Sequence, residues 1–198
     1  MANLILNGST SGSVTISSPA VSGTTTLTLP TTSGTVLTNG TNTNFPAGTV
    51  LQVVSTTKTD TFSTVSSGSF VDVTGLSVSI TPSSSSNKIL VLYDTMIGPQ
   101  DTGFFRIVRD STAIKQGDAA GGRIRTTVGS ISPGGNNDKL APGAGSYLDS
   151  PATTSSITYK IQVQNYSGTL VVNRSYNDSD ASYSGRGAST ITLMEIKG

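Results

Sequence analysis

The nearest this chain comes to a metal or acid–base pair is Asp178 and Asp180, two apart in NDSD. That spacing has the look of an oxygen-ligand loop for a hard cation, but the following Gly and the distal Glu of a calcium-binding hand are missing. The plainer reading is solvated loop carboxylates. Glycoside hydrolysis needs two carboxyl groups flanking the scissile bond. The chain offers ten Asp and a single Glu, Glu195, for that task. It has no His and no Cys, so a Ser-His-Asp triad, a Cys-His pair, the common zinc sites and disulfides are all excluded. Gly185-Arg186-Gly187 is too short for a phosphate cradle and lacks a strand-to-helix setting. Asn-x-Ser/Thr triplets at Asn7, Asn39, Asn165, Asn173 and Asn177 follow from a composition with 31 Ser and 31 Thr. This inventory predicts no catalytic residue, no metal ligand, no cofactor and no enzyme.

Recognition chemistry is better represented. Two glycine-rich stretches, residues 117–145 and 175–188, read as long loops, and loops of that length in a compact domain are usually functional or mobile. They carry Arg123, Arg125, Tyr176, Tyr183 and Arg186 among Gly and Ser. Rigid aromatic and guanidinium groups set among adaptable small residues are the chemistry of a contact surface. These five residues are the expected receptor contacts. Packing of the same loops against a neighbouring subunit is the alternative.

Overall charge gives no partner away. Twelve basic residues stand against 11 acidic ones, so neither nucleic acid nor an acidic membrane surface is expected. The longest apolar run, ILVLY at 89–93, is far short of a membrane span. MANLILNGST lacks a charged n-region and an adequate h-region. The expectation is a chain made in a cytosol and kept intact from Met1, with no membrane insertion.

The loops need a frame, and period-2 alternation supplies it. In SITYKIQVQN, Ile157, Tyr159, Ile161 and Val163 alternate with Thr158, Lys160, Gln162 and Gln164. TVLQVVSTT, FVDV, LSVSI, KILVLYDTMI, GFFRIVRD, TLVVNRS and STITLMEIKG read as further strands, KILVLYDTMI as a central one. TLVVNRS is expected to pair with SITYKIQVQN across Tyr166-Ser167-Gly168. No stretch has a helical period. Eight to ten short strands with turns between them predict an all-β domain over residues 46–198, an antiparallel β-sandwich resembling a jelly roll.

Residues 1–45 differ. No Asp, Glu, Lys or Arg occurs before Lys58. GSVTISSPAVSGTTTLTLPTTSGTV (12–36) alternates Val14 and Ile16, then Leu27 and Leu29, with Ser and Thr, and a third strand begins at Val36 and Leu37. Two medium apolar side chains per strand contribute about 1.5–3 kcal/mol each. Fixing six backbone residues costs on the order of 6–12 kcal/mol. One copy does not order itself, whereas identical copies sharing an axial core can. The expectation is an intertwined β-structured stalk in a homotrimer, with a disordered linker as the alternative.

GSTSGSVTISSPAVSGTTTLTLPTTSGTVLT resembles the repetitive N-terminal segment of fibre-like structural proteins from tailed bacteriophages, the marine type in particular. FVDVTGLSVSITPSSSSNKILVLYD, FRIVRDSTAIKQGD, SYLDSPATTSSITYKIQVQN and STITLMEIKG are similar, in that order, to the C-terminal domain of the same proteins. The resemblance implies a virion appendage, commonly trimeric, with an N-terminal anchor on another virion structural protein and a distal knob. On that basis residues 1–10 attach to the particle through Met1, Leu4, Ile5 and Leu6, residues 11–45 form the stalk, and the knob meets a host-surface glycan or protein. A tail fibre is the first expectation. A head fibre or an architectural decoration protein is the alternative, and a glycan-cleaving spike a more distant one.

Overall fold

A computed structural model describes residues 3–7, 9–17, 23, 24, 26, 31, 45–132, 134 and 136–198. The chain separates into two compact units, Met1–Leu37 and Thr38–Gly198. All regular structure among the described residues is β, with no helix.

In the first unit, β1 (Asn3–Asn7) pairs antiparallel with β2 (Ser13–Ser17), Leu4 opposite Ile16 and Leu6 opposite Val14. Gly12, at φ +77°, helps close the turn. The boundary expected at residue 10 falls in the turn of this hairpin, and β2 has a ladder partner within its own chain. The apolar side of the argument stands differently: Ile5, Leu6 and Ile16 are each more than half exposed, so the hairpin satisfies backbone groups and leaves side chains uncovered. Met1 and the strands expected at Leu27–Leu29 and Val36–Leu37 lie outside the described residues.

The described residues of the second unit form eleven strands: β3 (Val50–Lys58), β4 (Phe62–Thr64), β5 (Val71–Ile80), β6 (Lys88–Pro99), β7 (Gly103–Arg109), β8 (Thr112–Ile114), β9 (Val128–Ile131), β10 (Ala141–Asp149), β11 (Ile157–Asn165), β12 (Leu170–Val172) and β13 (Ser189–Ile196). One antiparallel sheet runs β3-β13-β6-β12-β4, with β10 also on β6. The other runs β5-β11-β7-β8, with β9 also on β7. The pairs β3·β13, β5·β11, β6·β10 and β7·β8 are nested: the chain runs out to β7 and returns alongside itself. Alternate side chains of both sheets meet in one core, including Val73, Leu76, Ile89, Val91, Phe105, Ile107, Tyr159, Ile161, Ile191 and Leu193. KILVLYDTMI is central, as its two apolar faces predict, flanked by β13 along Lys88–Asp94 and by β10 along Ile89–Ile97.

Several sequence expectations are corrected. FVDV and LSVSI are one strand, β5, interrupted by an irregularity. Opposite β11 the register jumps from Ser77 to Asp72 while β11 advances only from Lys160 to Gln162. Gly75 sits in that excess at φ +86°, a conformation that costs a residue with a Cβ far more than it costs Gly. TLVVNRS does not form a hairpin with SITYKIQVQN. β12 crosses to the other sheet and pairs with β6 and β4, because both edges of β11 are already taken, by β5 and by β7. The 117–145 loop contains β9 and most of β10. APGAG reads as loop because it lacks β-branched residues, yet small residues are what fit there: a Cβ on Gly143 would meet Phe105 Cδ1 and Ile131 Cδ1 at 3.3 Å.

Two carboxylates fasten the layers. Glu195, 1% exposed, accepts from Gln52 Nε2 at 2.6 Å, Ser83 N at 2.7 Å, Ser83 Oγ at 2.8 Å and Asn87 Nδ2 at 2.5 Å. Asp149 Oδ2 accepts from Arg109 Nη1 and from Tyr159 Oη, both at 2.7 Å. Burial pushes the Glu195 carboxyl up, but the donors of Asn87, Gln52 and Ser83 outweigh it and hold it below the usual carboxylate range. Asp72 is likewise pushed up by burial and brought net down by bonds from Lys160 and Gln162 and by the nearby Lys160 and Arg106 charges. Depressed carboxyls stabilise the fold above the unfolded pKa of about 4 and lose that contribution as pH falls through the folded value. With no His in the chain, little titrates between about pH 5 and 8. The thermal midpoint, followed by circular dichroism, is therefore expected to be flat over that interval and to fall steeply in acid.

Candidate functional site

A cleft of about 500 Å³ opens beside the end of the β5-β11-β7 sheet. Phe104 enters it from β7, Arg123, Ile124 and Thr126 from the β8–β9 connection, and Thr102 and Tyr166 from the turns flanking β7 and β11. Strand register explains the assembly. Gln164 lies opposite Phe104 and Asn165 opposite Gly103. One residue further, Tyr166 N donates to Thr102 O at 2.8 Å. That bond holds the Tyr166 ring at the rim, 66% exposed.

The β8–β9 connection is tied down at both ends. Thr127 N donates to Phe105 O at 3.1 Å, and Thr127 Oγ1 accepts from Ile107 N at 2.9 Å. Arg125 Nε donates to Gly117 O at 2.7 Å, while Gln116 Nε2 donates to Arg125 O at 2.9 Å. Arg123 N and Nη1 both donate to Ala120 O, at 3.3 and 3.2 Å. Arg123 is exposed, lines the cleft and makes no ion pair among the described residues. The site thus combines one guanidinium without a counter-ion, two aromatic rings and two threonine hydroxyls. It suits a ligand with a flat or apolar face and an anionic group.

The second expected contact stretch builds a separate, smaller cleft of about 250 Å³ among Asp178, Ser179, Asp180, Ser184 and Arg186. Asp178 pairs with two arginines there, while Asp180 makes no ion pair among the described residues. Arg186 Nη2 lies 2.8 Å from Asp178 Oδ1, and Arg174 Nη1 is 3.8 Å from Asp178 Oδ2. Ser179 Oγ donates to Asp138 Oδ1 at 2.9 Å, Asn177 N to Asn137 O at 3.1 Å, and the hydroxyls of Ser175 and Ser184 are 2.8 Å apart. Tyr183 is 64% exposed, and Tyr176 is half-buried with its carbonyl accepting from Arg174 at 3.1 Å. Of the five expected contacts, then, only Arg123 lines the larger cleft. Arg125 shapes its loop, Arg186 is paired with Asp178 in the smaller cleft, and the two tyrosines line neither. Sequence reading missed Phe104 and Tyr166. Tyr166 reads as the turn of a hairpin that does not form; an aromatic ring just past a strand end was its available signal. Of the expected anchor residues, Leu4, Ile5 and Leu6 lie in β1.

Among the described residues no group of three or more His, Cys, Asp or Glu is placed to hold a metal ion, and no helix is long and apolar enough to cross a membrane. No family model matches the chain, and no curated protein matches it. Among solved structures it is similar to one described as "Structure of infectious bursal disease virus Gx strain", with 13% identity and a TM-score of 0.33 over 82% of this chain and 45% of that one. The chain spans under half the length of that match, and a likeness at this level carries no argument about function.

Proposed function

We propose that the protein is a non-enzymatic virion appendage of the tail-fibre type, held as a homotrimer through its uncharged N-terminal segment and attached to another virion protein there, whose C-terminal domain contacts a host-surface glycan. Three observations support the reading. The chain resembles fibre-like phage proteins in several ordered blocks. The nested strand pairing fits a two-layer jelly-roll sandwich, an architecture used by capsid and lectin domains. The cleft between Phe104, Arg123 and Tyr166 carries the attachment role: an aromatic rim stacks on a sugar ring while the unpaired guanidinium takes a carboxylate or sulfate on it. Avidity among copies makes weak single contacts sufficient.

Calorimetric titration of the full chain with oligosaccharides from the host surface tests this. Binding is expected for acidic oligosaccharides. Arg123→Ala is expected to weaken it about tenfold or more, the range for a bond to a charged group, and Tyr166→Ala by a similar factor. The Arg123→Ala effect is expected to vanish for a neutral analogue. Absence of binding, or binding indifferent to Arg123→Ala, contradicts the attachment role. Release of new reducing ends during the titration would move the protein to the glycan-cleaving class.

A further inference from the structure

We propose that the outer face of the β3-β13-β6-β10 sheet is a self-association surface, on which a second copy of this chain packs face to face with its β6 antiparallel to the first. Register builds the face in rows. Val53 lies opposite Met194, Met194 opposite Leu90, and Leu90 opposite Leu148. This apolar row crosses all four strands. Leu92 stands beside it in the next row, and Val50 with Ile196 in the row on the other side. Val50, Val53 and Leu148 are 47%, 54% and 47% exposed. Isolated exposed apolar residues need no explanation, but a contiguous patch marks a contact. Beyond these rows the face turns to hydroxyls, with Ser55 meeting Thr192 at 2.7 Å and Thr57 meeting Thr190 at 3.0 Å, whereas the outer face of the other sheet adds charged and amide pairs and shows no comparable apolar row among the described residues. There Lys160 Nζ reaches Asp72 at 2.8 Å, Gln162 Nε2 reaches Asp72 at 2.6 Å, Arg106 Nε reaches Gln162 at 2.8 Å, and Ser79 meets Thr158 at 2.8 Å.

Charge decides the occupant and its direction. Along β6 the outward positions are Lys88, Leu90, Leu92, Asp94 and Met96. Lys88 and Asp94 are exposed, and neither makes an ion pair among the described residues. A two-fold axis lying between two such faces, across the strands at the level of Val91, places Lys88 of each copy over Asp94 of the other and Leu90 over Leu92. An axis along the strands would instead set Lys88 against Lys88. The face is therefore self-complementary in one orientation and repulsive in the other, as an isologous contact requires. Four strands about 4.8 Å apart and roughly 30 Å of β6 give a footprint on the order of 550 Å² per copy, below the ~800 Å² of a standard interface. The contact is weak and reversible, and it forms at high local concentration.

Sedimentation of the full chain over a concentration series tests this without reference to the glycan cleft. The mass is expected to rise with concentration to at least twice that of the starting assembly, doubling a monomer and joining trimers, which carry three such faces, into hexamers or larger species. Leu90→Glu is expected to abolish the doubling. Lys88→Asp and Asp94→Lys are each expected to weaken it roughly five- to tenfold, and the double reversal to restore it to within about twofold. The charge series decides the matter if Leu90→Glu fails to fold. A mass that never doubles overturns the proposal, as does doubling that persists in Leu90→Glu, which would mean that a segment of the same chain or nothing covers this face. A double reversal no better than either single one overturns the antiparallel packing.

Discussion

Asp149→Ala is expected to destabilise the second unit by about 3–5 kcal/mol, the range for removing one partner of a buried ion pair. Asp149 is 5% exposed and ends β10, while its partners Arg109 and Tyr159 belong to β7 and β11 of the opposite sheet. Without the carboxylate, the hydroxyl of Tyr159, whose residue is fully buried, has no acceptor. Burial and the bond to Asp149 both push the Tyr159 phenol well above its ordinary range, so it stays a neutral donor at any ordinary pH. Asp149→Asn keeps one acceptor oxygen and is expected to lose roughly half as much. Urea unfolding followed by circular dichroism checks the pair. A midpoint left unchanged by Asp149→Ala would mean that this clasp does not hold the two layers.

Glu195→Ala is expected to cost about 3 kcal/mol or more, because several donors lose their acceptor together. Its oxygens gather Gln52 from β3 and Ser83 and Asn87 from the β5–β6 connection onto β13. Asn87 Oδ1 in turn accepts from Gly198 N at 3.1 Å, so the same node fastens the C-terminal end. Glu195→Gln separates this site from Asp149. All four contacts of Glu195 are donors, so an amide NH₂ in place of either oxygen faces another N–H or O–H. Gln52 does not simply flip to compensate, since its Nε2 also donates to Thr81 O at 2.8 Å. The isosteric change is therefore expected to cost about 2 kcal/mol, nearly as much as truncation. The same unfolding experiment reads it, and a neutral Glu195→Gln would contradict the donor-only environment.

Strands with a clear apolar pattern were legible in the sequence: in β11 and β13 Ile, Tyr, Val and Leu recur at every second position, while β3 and β6 stand out as short apolar runs, that of β6 apolar on both faces. Partners were less so. The placement of β12 depends on β5 and β7 having taken both edges of β11, and a run of three apolar residues carries no period to reveal that. β10 was hidden for the opposite reason. Its inner positions include Gly143, which makes room for Phe105, and Gly145, where a Cβ would lie 2.6 Å from Tyr93 Oη. Composition scores such a strand as loop, and only the bulk of the facing β6 and β7 side chains explains it. The candidate cleft was half legible. Arg123 stands out as a cation in a glycine-rich stretch, whereas Phe104 and Tyr166 join it through the β7–β11 register, which the sequence leaves open.

As proposed, the protein stands out from a virus particle with its cleft turned outward. Electron microscopy of purified particles labelled with gold against the β8–β9 connection tests that most directly. The expected result is gold at the outer ends of slender projections. Particles without gold, from cells in which the protein is abundant, would contradict it.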